Sequence, residues 1–215
     1  MRSESGFRRI VNFSDAVVAI AITLLVLPLV DAAGSIDRQD PVTFLSDNRT
    51  RLFAFALSFA VIGSFWWAQH QLLERVRSYN TVLISGMSAW LFCIVFLPFP
   101  TELLGSASDD DTAVHGIYIG TMLVAAVAGL VQQWAIVRWP ELQDEEDRGS
   151  VTLVPAVTLV VLMTVALLAA VALPSVGLWG LLVLLLSRPI EHLATAKGAR
   201  GQGRRRVRPP HQGAP

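Results

Sequence analysis

Arg9-Ile10-Val11-Asn12-Phe13-Ser14-Asp15 runs straight into Ala16-Val17-Val18-Ala19-Ile20-Ala21-Ile22-Thr23-Leu24-Leu25-Val26-Leu27-Pro28. Between Ala16 and Val30 the only polar side chain is Thr23. So long an apolar run reads as a membrane-spanning helix. An arginine, a hydroxyl and a carboxylate stand at its entrance. Holding a carboxylate inside a bilayer is costly, which makes Asp15 a functional candidate by position. The plainer reading of Asp15 is a cap against the positive end of the helix dipole.

Composition extends this reading outward. Of 215 residues, 53% are hydrophobic and 16% charged, with a mean hydropathy of +0.53. The charges lie in short clusters between long apolar runs, the pattern of a polytopic membrane protein. A formal charge of zero gives no reason to expect a nucleic-acid partner. Cys93, the single cysteine, sits in an apolar run and reads as a small packing residue. No metal-ligand spacing, phosphate-cradling glycine loop or nucleophile elbow occurs, so neither an enzyme nor a cofactor is expected.

Arg2, Arg8 and Arg9 before an apolar run also fit a signal peptide. Asp15 interrupts that pattern, and Asp31 spoils the small-residue cleavage site near Ala33, so the segment reads as a retained helix. A polar stretch, Asp31–Asn48, reads as a loop. Further apolar spans follow at about Leu52–Leu72, Val82–Leu104, Val114–Val137, Val151–Leu173 and Val176–Ser187. The fold class is therefore an all-α integral membrane protein with six transmembrane helices per subunit, residues 1–196, in the cell membrane. The last span, between Pro174 and Pro189, is short.

Arginine and lysine placement gives the orientation. With the N-terminus inside, only Arg38, Arg49 and Arg51 fall outside, and every other basic residue is cytoplasmic. Both termini are then cytoplasmic, as an even number of spans requires. Asp109-Asp110-Asp111 lies outside and reads as a solvated loop, although acids at a pore mouth can concentrate cations. Residues 197–215 are rich in glycine, arginine and proline and read as a disordered basic cytoplasmic tail. Its arginines suit anionic lipid headgroups or a simple topology anchor.

The phrase Arg9-x-x-x-Phe13-Ser14-Asp15 resembles the signature of the bacterial members of the lysosomal potassium channel family, the transmembrane protein 175 family. Its continuation, Ala16-Val17-x-Ala19-Ile20-x-Ile22-Thr23-Leu24-Leu25-Val26-Leu27, is similar to that family's first helix. So are Ser58-Phe59 with Trp66-Trp67-Ala68-Gln69-His70, and Leu97-Pro98-Phe99-Pro100-Thr101. The resemblance covers roughly residues 7–105, and beyond them only hydropathy agrees. Gln69 stands where the family commonly has the first histidine of a pair. No asparagine appears near Met87 and Ser88, where many relatives carry one. Both positions belong to the polar network built around Ser-Asp, which is expected to be rewired here.

The resemblance implies a potassium-selective leak channel without a filter loop, a homotetramer whose first helices, about residues 9–30, line the pore. It places aliphatic and threonine rings at Ile20, Thr23, Leu24 and Leu27, with K+ as the permeant ion. An α-helix turns about 100° per residue, so these residues share one face, with Phe13 and Arg9 near the same line. Asp15 lies about 140° from Ile20 and points into its own subunit. There it needs hydrogen-bond partners, and Trp66, Trp67, Gln69 and His70 are the nearby donors, with Ser14 beside them. Arg9 suits a wide cytoplasmic mouth, paired with an acid or a lipid phosphate.

Other readings compete. An aliphatic stripe at this spacing also serves packing or lipid contact, and a histidine near a helix end is often interfacial. A proton-coupled transporter would relay protons through Asp15 and His70, yet the two halves show no clear internal repeat. A membrane scaffold would require no transport at all.

Overall fold

The computed structural model describes residues 4–34, 40–106, 111–143 and 148–172. The sixth apolar run at Val176–Ser187, the basic tail, Arg2, Asp109 and Asp110 lie outside the described residues. Within them the chain is helical, with no strand beyond an isolated antiparallel bridge between Val76 and Gln143.

Eight α-helices follow in order: α1 Glu4–Leu24, α2 Leu27–Gly34, α3 Pro41–Asp47, α4 Arg49–Leu73, α5 Thr81–Phe96, α6 Pro98–Ser106, α7 Thr112–Arg138 and α8 Val154–Ala172. They make five helical lengths apolar enough to cross a membrane: Ser5–Gly34, Arg49–Leu73, Thr81–Ser106, Thr112–Arg138 and Val154–Ala172. Two of the five are broken, each beside a proline. Proline has no N–H and its ring crowds the carbonyl four residues earlier. Pro28 accordingly follows a short turn at Leu25 and Val26, whose amides reach back to Ile22 and Thr23 at 3.3 Å. Pro98 likewise separates α5 from α6.

The polar stretch expected as a loop is more ordered than that. α2 extends through Asp31 to Gly34, and α3 occupies Pro41–Asp47. Pro41 opens α3, where its missing N–H costs nothing, and the amide and side chain of Asn48 close it on the carbonyl of Phe44.

Local chemistry fixes the other starts. The Asn80 carboxamide accepts from the Leu83 amide at 2.9 Å and opens α5. Asp111 caps α7 by accepting from the amides of Ala113 and Val114. This gives one member of the acidic triplet a structural task. Before α8, Gly149 takes φ +82°, a left-handed turn that a side chain would strain, and its amide donates to Gln143 Oε1 at 3.2 Å.

The spans alternate in direction. At one end Phe7, Leu73, Val76, Leu83, Ile136, Leu142 and Val151 share an apolar cluster, with Phe7 stacked on Tyr79 at 5.8 Å. The two linkers at that end are tied together. The amides of Arg77 and Ser78 donate to Leu142 O at 2.8 and 3.3 Å, and Ser78 Oγ donates to Glu141 O at 3.2 Å. At the far end Leu25, Pro28 and Leu29 border Arg51, Phe55, Thr101 and Gly105. α7 is the central helix, packed against α5 on one side and α8 on another. α1 leans on α5 and α4 from outside.

Candidate functional site

α1 buries a narrow face. Phe7, Ser14, Val18 and Ala21, with Leu25 just past its end, turn inward, a spacing near whole numbers of helical turns. The opposite face is left uncovered by the described residues. Phe13 is 63% exposed and Ile20 58%, and Thr23, Leu24, Leu27 and Arg9 are exposed too. The aliphatic stripe that shares one face by helix geometry is thus an outward ridge, unbroken as far as Leu24. Thr23 is its only hydroxyl, and that hydroxyl donates to Ile20 O at 2.8 Å, leaving the oxygen's lone pairs facing out. Leu27 lies beyond the break at Leu25 and Val26, so it belongs to α2 rather than to the unbroken helix.

Asp15 sits on another face, half-buried, and accepts from Trp66 Nε1 of α4 at 2.9 Å. Ser14 is buried next to it. The remaining candidates divide in ways that motif spacing does not show. Gln69 is buried and donates through Nε2 to Gln132 Oε1 of α7 at 2.6 Å. His70 Nε2 lies 3.2 Å from Glu74 Oε1 on its own helix, its ring stacked on Trp66 at 5.3 Å and near Trp67 at 6.2 Å. Trp67 is exposed. Of the four donors considered for the Asp15 carboxylate, the structure brings Trp66 to it.

Two polar groups emerge that the sequence reading passed over. Gln132 is fully enclosed within α7. A hydroxyl chain links α4, α6 and α7: Ser58 Oγ lies 2.7 Å from Thr101 Oγ1 and 3.0 Å from Tyr118 Oη. Thr101 donates its proton to Leu97 O at 2.8 Å, so it accepts from Ser58. Ser58, its proton spent, accepts from Tyr118. The chain therefore has one direction and ends on the carbonyl preceding Pro98. The signal for Gln132 was a pair of amides, Gln132-Gln133, within an otherwise apolar span, because a membrane amide needs a partner.

Comparison with known proteins gives this arrangement a family. The model of the endosomal/lysosomal potassium channel TMEM175 matches residues 9–98, the stretch holding the α1 ridge, Asp15 and Trp66. A protein of Streptomyces collinus named as a potassium channel is 32% identical over 149 residues, which are 66% of this chain and 69% of the relative. This chain belongs to the TMEM175 family. It is a multi-pass protein of the cell membrane. Human TMEM175, named as an endosomal/lysosomal proton channel, is 24% identical over 128 residues, covering 60% of this chain and 25% of the human one. Among solved structures, the crystal structure of a lysosomal potassium-selective TMEM175 homologue from Chamaesiphon minutus superposes with a TM-score of 0.70 at 24% identity. The match covers 87% of this chain and 98% of that one. At that identity the likeness speaks for the TMEM175 fold.

Proposed function

We propose that this chain is one subunit of a homotetrameric, potassium-selective leak channel in which α1 lines a central pore. The supporting observation is the uncovered ridge of Ile20, Thr23 and Leu24 on the helix that carries the family motif. The most apolar stretch of Ser5–Gly34 is only 17% buried within its own chain, so α1 has a wide face for neighbouring subunits and a pore. Asp15 faces Trp66 rather than that ridge, which suits a carboxylate that anchors the pore helix and does not line the path.

A ring of isoleucine and leucine side chains offers an ion nothing in exchange for its water. When narrow, such a ring empties of water and blocks flow. When slightly wider, it passes a partly dehydrated ion, and potassium gives up water more readily than sodium. Thr23 hydroxyl oxygens would supply ligands beside that constriction. Five described spans leave the end of α8 opposite the start of α1, so a sixth span at Val176–Ser187 would return the chain to the cytoplasmic side.

The relay of protons between Asp15 and His70 draws less support. Trp66 stands between them, and an indole N–H donates but cannot accept a proton. The test is proton uptake into liposomes loaded with potassium after addition of a protonophore, repeated with sodium. Uptake that depends on potassium and exceeds that in sodium supports the channel. Equal or absent flux from folded protein overturns it, and proton uptake without the protonophore favours the proton pathway.

A further inference from the structure

Asp15 and Trp66 account for one attachment of the ridge helix, but α4 must itself be held for that attachment to fix anything. Trp66 and Gln69 are three residues apart, neighbours on one face of α4. Gln69 Nε2 donates to Gln132 Oε1 across the interior at 2.6 Å. Gln132 is 0% exposed, and its own Nε2 has no partner among the described residues. On the third side stands Gly86 of α5. A methyl group added there would come within 2.8 Å of Gln132 Cγ and 3.3 Å of Ala128 O. The glycine thus admits α5 to the place where Gln132 lies. Gln132 is therefore the point at which α4, α5 and α7 meet, and α4 and α5 are the two long helices on which α1 leans.

The pair is an expensive way to join helices. Burying two amides for one hydrogen bond, with a donor left over, sacrifices solvation that apolar side chains would not. Such a contact fixes register, because sliding either helix by a residue leaves both amides unpaired.

We propose that Gln132 is a positioning residue for the pore helix, acting through Gln69, α4 and the Trp66–Asp15 bond to set the width at Ile20 and Thr23. The proposal rests on the channel reading above. A loosened α1 samples a broader range of widths and separates potassium from sodium less sharply.

The test compares potassium and sodium flux ratios for full-length variants in liposomes, after checking that each elutes as the wild-type assembly does. Gln132→Met keeps the length and loses the acceptor; it should lower the ratio roughly threefold, within the range of coupling seen for residues remote from a site. Gln69→Met should do the same, and the double variant should be no worse than either single one, since both remove one bond. Gln132→Glu keeps an oxygen acceptor and should restore the wild-type ratio, which a merely bulky filler would not do. Gly86→Ala, which pushes on Gln132 without touching the amide, should resemble Gln132→Met and serves if that variant fails to assemble. Wild-type ratios in the assembled methionine variants, additive effects in the double variant, or a glutamate variant no better than methionine would each overturn the proposal. Absence of potassium flux from wild type would instead overturn the channel reading itself.

Discussion

The first and fourth spans make an instructive pair. The stretch of highest hydropathy in Ser5–Gly34 scores 2.5 and is 17% buried, whereas that in Thr112–Arg138 scores 1.9 and is 44% buried. The more apolar helix is the more exposed one. In water that order would be reversed, but in a bilayer an apolar face left uncovered by its own chain has lipid or another protein surface to meet. Beside the apolar core, the groups that lipid cannot satisfy are drawn inward. Ser58, Gln132 and Tyr118 are enclosed, and His115 nearly so, while Phe92, Val124 and Leu168 face outward. A small residue lets α5 approach one of those polar groups, as Gly86 does beside Gln132 and Ala128 of α7.

Changes on the ridge and in the polar interior should therefore separate. The largest effect is expected on the exposed ridge: Ile20→Asn wets the constriction and raises potassium flux roughly tenfold, with thermal stability in detergent near wild type. Flux left unchanged would place the constriction elsewhere. Next comes the interior. Ser58→Ala strands the Tyr118 hydroxyl while Thr101 keeps its bond to Leu97 O, and should cost about 1–3 kcal/mol of stability with the selectivity preserved. A normal melting temperature would mean that Tyr118 finds another acceptor. The smallest effect is expected for Thr23→Ala, which should lower the potassium preference by about threefold, or ~0.6 kcal/mol. Unaltered reversal potentials in mixed salts would exclude the hydroxyl as an ion ligand.

How much of this was legible depended on the kind of signal. Five spans announced themselves by length and apolarity, and 3.6-residue geometry put Ile20, Thr23 and Leu24 on one face with Asp15 on another, while the family resemblance said which face would turn outward. The partner of Gln69 did not. It stands 63 residues away on a helix whose apolar residues are spread around its circumference, so no periodicity marks the packed face. Helix breaks were half visible: Pro28 and Pro98 were plain in the sequence, but where the chain resumed was not. α3 hid in a stretch of acids and turn formers because a short helix at an interface needs no apolar stripe. His70 was misleading for a related reason, as motif spacing put it beside Trp66 without showing that Glu74, one turn on, would claim its ring nitrogen.

The tie between the two linkers bears on how the protein is made. Ser78 leaves the ribosome 63 residues before Glu141, the residue whose carbonyl its hydroxyl meets. The amides of Arg77 and Ser78 likewise wait for Leu142. Until then the turn between α4 and α5 keeps its donors in interfacial water, and the early hairpin stays an unfinished piece. The linker that follows α7 closes it, making insertion of the later half the step that locks the earlier one.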